Sequence, residues 1–593
     1  MRARLHVARS VVYGCVAARG RNPVHHRRID MAPIATTRLP IIGLATIALL
    51  AGLAPAPARS QATFVVNSAL DENDAAPGDG ACASASAVCT LRAAITEANA
   101  LPGTDVVQLA AVTYALTATG SSEDQNVSGD LDIRSDIAIH GDPLGTTTIT
   151  AAGLTNQRVV DVPVLASVTL RHVTLTGALL TSSGTAGAGA GLRVMAGATA
   201  LVEDCRVTGN TTAGEGAGIY AGGAGTVVTV LRSTVSNNTG NGATSFGGGL
   251  RTASGAGFNV IESTVSGNSS TAAGGGLNHG TATGTVLIER STFSGNTAAS
   301  ANTGGGAASF GGPGRVVNST FSGNTVTHPT PGVNQGGGAF WISPLNASVV
   351  VDIEGSTIAG NNAVHSGGGI RRQGSSGALN VRATIIADNA LASDTATARR
   401  DMIGNVNLAG FALVEDNTGY NATETQDPGT NVLGADPMLG PLADNGGPTQ
   451  THALASGSPA VNQGTCILMA GGTLDVDQRG APREAPCDIG AIESGVVVAA
   501  PDRPASSELS MSVVRPNPAQ ARASFLLTAA RGRHVVVTVH DMLGRTVAVP
   551  FDAVAPAAVT EVSLAVDHLR PGAYVVRATG PEDSVSRRFV IAR

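Results

Sequence analysis

Short runs in which apolar and polar residues alternate recur through the middle of the chain, and no comparable run has helical spacing. Val227–Leu231, Val286–Ile288 and Val349–Ile353 are examples, each flanked by Gly, Asn or Ser residues. β-Branched runs of this length between turn residues predict short strands rather than helices. We therefore expect this part of the chain to be built from strands and tight turns.

A six-residue phrase, Ser-Thr-Phe-Ser-Gly-Asn or a variant of it, recurs seven times between Cys205 and Asn389. Its closing asparagines step by 28, 30, 28, 28, 37 and 28 residues. These asparagines are Asn210, Asn238, Asn268, Asn296, Asn324, Asn361 and Asn389. Such regular repeats indicate stacked coils that complete one another's core. Equivalent asparagines would then align, and we expect each to hydrogen-bond those above and below it.

A glycine triplet follows most of these asparagines within a dozen positions. The triplets begin at Gly247, Gly274, Gly304, Gly336 and Gly367. Glycine tolerates positive φ and close backbone approach, so we interpret each triplet as a corner rather than a phosphate-binding loop. Leucine-rich repeats and calcium-binding nonapeptide arrays are excluded, because neither a Leu frame nor a repeated Asp is present. The two motifs together resemble the repeats of polymorphic outer-membrane proteins, which implies a right-handed parallel β-helix over residues 161–390.

The N-terminal segment has the layout of a secretory signal peptide. An apolar run from Ile41 to Ala54 follows Arg38 and precedes a stretch of small residues that ends near Ala62. We predict a signal peptide at 31–62 and interpret 1–30 as a mis-assigned extension before Met31. The apolar run is too short for a comfortable membrane span, and no later segment is long and apolar enough, so we expect no span in the mature chain.

Residues 63–160 are predicted to hold an N-terminal cap and the first coils. Leu91, Ile95 and Ala98 have helical spacing, Thr90 can cap the helix, and Pro102-Gly103 can end it. A solenoid needs such a helix to cover its open first coil. The Cys-Thr-Leu-Arg-Ala-Ala stretch from Cys89 resembles the Cys-Ser-Leu-Arg-Glu-Ala domain of bacterial surface β-helices, although it differs at Thr90 and Ala93.

Export favours disulfides over free thiols. Cys82 and Cys89 are seven residues apart, and Cys466 and Cys487 lie close together late in the chain, so two local disulfides are the simplest pairing. Metal binding would need clustered His or Cys partners, and neither pair has any nearby in sequence. We predict no metal site and no cofactor. Cys205 takes the Ser position of the repeat phrase and is predicted to be a small buried residue.

The repeat pattern ends after Asn389, and residues 391–495 carry a different set of phrases. These include Asn445-Gly-Gly-Pro-Thr-Gln-Thr-His-Ala-Leu454 and Cys487-Asp-Ile-Gly-Ala-Ile-Glu493. They resemble the choice-of-anchor Q domain of secreted bacterial proteins, which implies attachment. Four polar residues of the region are predicted to make internal hydrogen bonds in closing coils rather than to bind a ligand or calcium: His452, Asp477, Arg479 and Asp488.

A Pro- and Ser-rich linker at 496–512 leads to a small module at 513–593 whose alternating runs predict an antiparallel β-sandwich. Its landmarks are Pro516, Asn517, Pro518, Gly544, Gly572 and Tyr574. They resemble the type IX secretion sorting domain, which implies export across the outer membrane of a diderm bacterium by the type IX machinery. The same resemblance implies attachment to surface lipopolysaccharide or release. The alternative is an ordinary immunoglobulin-like accessory domain.

The predicted fold class is all-β: a right-handed parallel β-helix with an N-terminal capping helix, followed by a small antiparallel β-sandwich. The formal net charge of −6 and the absence of a basic run argue against nucleic acid as a partner. The chain contains no lysine, which excludes Schiff-base and P-loop chemistry. We expect the protein to lie outside the cell or on the bacterial outer-membrane surface.

Glycosidase chemistry would require a pair of carboxylates. Glu203, Glu289 and Glu354 share one repeat position, but intervening coils carry apolar residues there. Two coils separate Glu289 from Glu354, a distance of about 9–10 Å at the spacing of parallel strands. An inverting pair requires about 6.5–9.5 Å. We interpret these glutamates as solvated or paired with Arg, and we assign no catalytic residue.

Aromatic residues suited to sugar stacking are scarce in the repeats. Phe340-Trp341 and Tyr220 are the candidates, and Trp341 lies in the longest repeat, next to a glycine corner. The sequence therefore predicts a structural or adhesive surface protein without enzyme activity, with Trp341 as the candidate contact for an extracellular glycan or host surface. The alternative is a carbohydrate-active β-helix enzyme, either a polysaccharide lyase or a glycoside hydrolase.

Overall fold

A computed structural model describes residues 61–495 and 510–592, with gaps at 121–122, 144, 244, 301–302, 328–335, 365, 393–400, 512–513, 515–518, 520–521, 529–533, 542–544, 555–558, 568 and 580–583. The signal peptide predicted at 31–62 lies almost entirely outside the described residues, as does most of the linker predicted at 496–512. Within them, no helix is long and apolar enough to cross a membrane.

The chain from Thr63 to Leu433 forms a parallel β-solenoid, which confirms the predicted architecture. Each complete turn contributes one strand to each of four sheets, which we number in chain order within a turn.

The bounds of the strands follow sheet by sheet. Sheet 1 contains Leu131–Asp132, Val160–Val162, Leu192–Val194, Ile219–Gly222, Leu250–Ala253, Leu277–His279, Ala308–Phe310, Phe340–Ile342, Ile370–Arg372 and the start of Met402–Leu408. Sheet 2 contains Thr63–Val65, Thr104–Gln108, Asp136–His140, Ser167–Arg171, Thr199–Glu203, Val227–Leu231, Gly257–Ile261, Val286–Glu289, Gly314–Val317, Val350–Glu354, Ala378–Arg382, the end of Met402–Leu408 and Tyr420–Glu424. Sheet 3 contains Thr113–Ala115, Thr147–Thr150, Val173–Thr176, Arg206–Thr208, Thr234–Ser236, Thr264–Ser266, Thr292–Ser294, Thr320–Ser322, Thr357–Ala359, Ile385–Ala387, Leu413–Val414 and Val432–Leu433. Sheet 4 contains Leu179–Leu180, Thr211–Thr212, Thr239–Gly240, Ser269–Ser270, Thr297–Ala298, Thr325–Val326, Asn362–Ala363 and Ala390–Leu391.

Equivalent residues of successive turns pair in register. In sheet 3, for example, Val265 pairs with Phe293, and Phe293 pairs with Phe321. Inward residues therefore stack into columns, and the Phe293 and Phe321 rings lie 5.2 Å apart between their centroids. Phe340 of sheet 1 meets the Phe321 ring at 4.4 Å, so residues from opposite walls fill the same core.

The seven repeat asparagines form one buried column at the corner between sheets 3 and 4. The Oδ1 of Asn296 accepts hydrogen bonds from the backbone N and the Nδ2 of Asn268, both at 3.0 Å. Its own Nδ2 donates to Asn324 Oδ1 at 2.9 Å and to Val265 O at 2.8 Å. The glycine before the asparagine has positive φ, +61° at Gly295, which explains the Gly-Asn pair of the phrase.

A carboxylate ends this column. Asn389 donates from Nδ2 to Asp401 Oδ1 at 2.8 Å, and Asp416 donates its backbone N–H to Asp401 Oδ2 at 2.9 Å. Asp401 is fully buried, and its burial raises the pKa of its carboxyl group from 3.8 to about 7. The last asparagine thus keeps an acceptor, although the repeat phrase has stopped.

The predicted helix spans Leu91–Ala100 and packs against the first strands of sheets 1 and 2. Thr90 caps it, because its Oγ1 accepts the Ala93 N–H. The fully buried Arg92 pairs its Nε with Asp71 Oδ1 at 2.6 Å and donates to the Gly129 and Asp130 carbonyls. One buried guanidinium therefore connects the helix, the loop before it and the first turns.

Residues 436–495, which we call the flap, do not continue the solenoid as the closing coils expected from the sequence. They fold back over the outer surface of sheet 3, where threonines of successive strands hydrogen-bond them. Thr292 Oγ1 donates to Gln450 O at 2.6 Å, Thr320 Oγ1 donates to Gln478 Oε1 at 2.6 Å, and Thr357 Oγ1 accepts from Ala491 N at 3.0 Å. Within the flap, Leu439–Ala443 and Thr451–Leu454 pair antiparallel.

The C-terminal module consists of two antiparallel sheets around a separate core, as the sequence predicted. One sheet contains Ser510–Met511, Arg522–Thr528 and Val559–Ala565, and the other contains His534–Asp541, Thr546–Val554, Gly572–Thr579 and Ser584–Ile591. Buried residues of both sheets, including Phe525, Val537 and Val576, share this core.

Both predicted disulfides are present, Cys82–Cys89 and Cys466–Cys487. Cys205 is a buried free thiol, and desolvation raises its pKa to about 12, so it stays protonated. The Cys205 backbone N–H donates to Ser233 Oγ at 2.9 Å. The same bond recurs from Ser233 to Ser263 and from Ser263 to Ser291, so the Ser position of the phrase forms a second polar column.

Replacing Asn296 by Ala removes an acceptor for two donors of Asn268 and a donor to Val265 O. We expect Asn296→Ala to lower the free energy of unfolding by about 2–4 kcal/mol, because buried polar groups lose their partners. Guanidinium titration followed by circular dichroism measures the change. Asn259→Ala, on the half-buried outer surface of sheet 2, is the matched control and should have a small effect. Equal effects of both variants would contradict this role of the column.

Asp401 makes a specific prediction for pH dependence. The folded-state pKa of Asp401 lies above its unfolded value, so the folded protein binds the carboxyl proton more tightly than the unfolded chain does. The stability that this proton contributes is lost as pH rises from about 4 to about 7. Asp401→Asn removes that titration. The stability of the variant relative to the parent should therefore rise by about 4 kcal/mol over this range. The altered contact with Asp416 N adds a difference in stability that does not depend on pH. If the measured difference between variant and parent has only this constant part, the raised pKa of Asp401 is contradicted.

Candidate functional site

The outer surface of sheet 1 carries a row of aligned side chains that includes a Trp, a Tyr and three Arg residues. Register aligns one outward residue from each strand. The row, which we call the outer row, is Asp161, Arg193, Tyr220, Arg251, Asn278, Ser309, Trp341 and Arg371. At about 4.8 Å per strand, the six steps from Arg193 to Arg371 span about 29 Å. Such a length suits an extended polymer better than a small ligand.

Of the aromatic candidates from the sequence, Tyr220 and Trp341 lie in the outer row, four strands apart, whereas Phe340 is fully buried in the core and is not available for binding. Tyr220 is 2% exposed, and a side chain at Gly222 would collide with its ring, so the tyrosine lies flat along its own strand. Trp341 is half-buried. Its indole Nε1 is buried and has no hydrogen-bond partner among the described residues. Of the two residues, Trp341 is therefore the one with both an accessible surface and an unused donor.

Two arginines of the outer row are fixed by acidic partners. Arg193 donates from Nε to Asp161 Oδ1 at 2.8 Å and also pairs through Nη2 with Asp161 Oδ2. Arg251 pairs with Glu215 Oε2 at 2.9 Å, and its guanidinium lies 5.2 Å from the centre of the Phe246 ring. Both guanidiniums are thereby oriented before any ligand arrives.

The row has an acidic end at Asp132, which pairs in register with Asp161. Both carboxylates are buried, with 0% and 1% exposure respectively. Arg158 pairs with Asp130 at 3.3 Å, next to them. Burial and, after it, the negative charge of Asp130 raise the pKa of Asp132 to about 8. Sequence reasoning missed this cluster, because Asp132 and Asp161 lie in the irregular first turns, before the repeat phrase begins.

Two of the three glutamates that share one repeat position, Glu203 and Glu354, make structural contacts. Glu203 pairs with both Arg171 and Arg232, whose hydrogen bonds outweigh its burial and lower its pKa. Glu354 is 2% exposed, pairs with Arg315 Nε at 3.2 Å and accepts the Met469 N–H of the flap at 2.6 Å. Glu289 lies two strands from Glu354 in the same column, as the repeat period predicted.

The polar residues singled out in the flap hydrogen-bond within the protein. His452 contacts Ser322 Oγ through Nε2 at 2.9 Å and Gly440 O through Nδ1 at 2.7 Å. Asp477 pairs with Arg479 at 2.7 Å. Asp488 accepts the Asn462 N–H at 2.7 Å. The contact between His452 and Ser322 joins the flap to sheet 3, and the other contacts lie within the flap.

Two landmarks of the C-terminal module lie within the described residues. Tyr574 is buried and donates its hydroxyl to Arg570 O at 2.8 Å, and Gly572 starts the same strand. Pro516, Asn517, Pro518 and Gly544 lie outside the described residues. The tyrosine therefore fixes the turn that precedes its strand.

Comparison with known proteins identifies the C-terminal module. Residues 513–592 match the family described as the secretion system C-terminal sorting domain. No curated protein and no solved structure matches the chain. The matched family is a type IX sorting domain, which implies the corresponding secretion machinery and places the protein at the cell surface or in the extracellular space.

The contacts of Glu354 predict a structural role that can be measured. Glu354→Ala leaves Arg315 and the Met469 N–H without the acceptor that the buried Glu354 provides, and we expect a loss of about 1–3 kcal/mol in unfolding free energy. Limited proteolysis should also release the flap faster. Glu289→Ala, in the same column, is the control and should change neither measurement. Normal stability and proteolysis of the Glu354 variant would refute this role.

Proposed function

We propose that the solenoid is an adhesive protein that binds an extended extracellular glycan along the outer row of sheet 1. The type IX module carries it to the surface, and the row supplies the binding residues. Adhesion suits an array of this kind, because each turn adds a further contact of modest strength. A less specific version of the proposal is a purely structural role at the cell surface.

The observation that carries the proposal is the environment of Trp341. Its half-buried indole has an apolar surface for a sugar ring and a buried Nε1–H that donates to no atom in the described part of the chain. A buried donor without an acceptor is costly, and a sugar hydroxyl could satisfy it. Register puts the buried Ser309 on one side of Trp341 and the half-buried Arg371 on the other, so the guanidinium-bearing side chain is the accessible polar neighbour of the indole.

The glycan class follows from the charges of the row. Arg193, Arg251 and Arg371 occur at intervals along it, and planar guanidiniums bind carboxylates and sulfates in a bidentate manner. Arg193 and Arg251 already have acidic partners, so they would bind a sugar acid by sharing their remaining N–H groups. We therefore favour a polysaccharide that contains some acidic sugars over a fully neutral one.

We also propose that the solenoid does not cleave its ligand. Glu203 and Glu354 are held in ion pairs, and the flap contacts Glu354 directly. A catalytic acid must reach the substrate and must carry a proton to donate. The contacts of Glu203 and Glu354 support neither requirement. A lyase or glycoside hydrolase remains the competing proposal. By analogy with the sorting family, the mature protein would be attached to surface lipopolysaccharide or released.

Glycan-array binding of the mature protein tests the proposal. Trp341→Ala should weaken binding to the recognised acidic glycans at least about fivefold, since central aromatic contacts in interfaces contribute about 1 kcal/mol or more. Trp341→Phe keeps the apolar surface but lacks the N–H donor, so its affinity should be intermediate.

Leu345→Ala is the matched control, because Leu345 is a 59% exposed apolar residue close to the same sheet. It should leave binding unchanged. The recognised glycans are then incubated with the parent protein and assayed for new reducing or unsaturated ends. Product formation would favour the enzyme, and binding that is insensitive to both Trp341 variants would overturn the assignment of the outer row.

A further inference from the structure

The acidic end of the outer row is the strongest unassigned site among the described residues. Asp124, Asp132 and Asp161 each offer a carboxylate oxygen, and these oxygens lie within 4.8 Å of one another. Asp132 and Asp161 come from adjacent strands in register, whereas Asp124 belongs to the loop that precedes Asp132. Three separately positioned carboxylates therefore converge on one small volume.

One carboxylate oxygen of Asp132 has no hydrogen-bond partner among the described residues. Asp132 is 0% exposed, and its Oδ2 accepts the Asn126 N–H at 2.9 Å. Its Oδ1 is buried and makes no hydrogen bond to the part of the chain that the structure describes. An orphaned carboxylate oxygen is costly, and native structures rarely leave one without a ligand, water or ion. This observation is independent of the clustering and itself points to a missing ligand.

The charged side chains around the cluster are compatible with a bound cation. Asp124, Asp130, Asp132 and Asp161 carry four carboxyl groups. Arg158 and Arg193 are the guanidiniums that pair with members of this set. When an ion displaces the proton of Asp132, the four carboxylates exceed these two guanidiniums by two negative charges, which a divalent ion cancels. The bonds from Arg193 do not block coordination, because each carboxylate oxygen has two lone pairs.

We propose that Asp124, Asp132 and Asp161 form a calcium site. Ca²⁺ binds oxygens at about 2.3–2.6 Å, so one ion reaches two oxygens that are up to about 5 Å apart. Mg²⁺ holds its waters tightly and requires near-ideal octahedral geometry at about 2.0–2.1 Å, which suits two buried carboxylates less well. Extracellular sites of this kind bind Ca²⁺ with dissociation constants of about 0.1–1 mM.

The site would connect parts of the chain that are distant in sequence. Asp124 lies in the loop close to the capping helix, where Asn126 donates from Nδ2 to Arg92 O at 3.0 Å. Asp161 lies one turn further along the solenoid and holds Arg193 of the turn after that. Bound calcium would therefore fasten the cap to the first turns and fix the first arginine of the outer row.

Thermal unfolding of the chelator-treated mature protein at pH 7.5 tests the proposal. Addition of 10 mM CaCl₂ should raise the midpoint by about 2–5 °C, and the same concentration of MgCl₂ should raise it less. Tb³⁺ offers a second readout. Tyr220 is two strands from Asp161, about 10 Å away, and should sensitise Tb³⁺ luminescence that Ca²⁺ then quenches by displacement.

Asp132→Asn and Asp124→Asn should each abolish the calcium-induced shift and the luminescence. Asp132→Asn replaces a buried carboxyl group by an amide of the same shape, and Asp124 is exposed, so both variants should fold normally. Asp352→Asn, on the outer surface of sheet 2, is the matched control and should retain both responses. A parent protein that does not respond to Ca²⁺, an equal response to Mg²⁺, or a full response in either cluster variant would overturn the proposal.

Discussion

In-register stacking of one turn on the next is the constraint from which the rest of the structure follows. Parallel strands satisfy their backbone groups only through the turns above and below, so each turn needs a neighbour of the same shape. This requirement explains why the corners are the most constant part of the repeat. A corner holds backbone in left-handed conformations and buries polar groups, as at Gly295 and Asn296, and few residue types tolerate both conditions.

The same constraint decides what was predictable. Repeat spacing predicted the solenoid, the asparagine column and the position of Glu289 relative to Glu354, because all three depend on periodicity alone. The capping helix and the disulfides were predictable from local signals over a few residues. The flap was not, since its contacts join residues such as Thr292 and Gln450, which are 158 positions apart. No regular spacing connects them in the sequence.

The outer row was also only partly visible in the sequence. Trp341 and Tyr220 were identifiable as rare aromatics, but their alignment with Arg193, Arg251 and Arg371 requires the exact register of sheet 1. The repeats differ in length, with asparagine steps of 28 to 37 residues, so counting residues does not give that register. The acidic cluster was missed for a related reason: Asp124, Asp132 and Asp161 precede the repeats and share no motif.

The position of the flap limits where this protein can change length. Its hydrogen bonds reach strands that carry Thr292, Thr320 and Thr357, and the capping helix contacts only the first turns. None of these hydrogen bonds joins the turns between Cys205 and Glu289 to the flap, and these turns lie beyond the first turns, which the helix contacts. Duplication or deletion of whole repeats there would leave both ends of the solenoid intact. An insertion beneath the flap would move Thr292, Thr320 and Thr357 out of register with their hydrogen-bond partners in the flap. Relatives with longer or shorter solenoids should therefore differ upstream of Ser291.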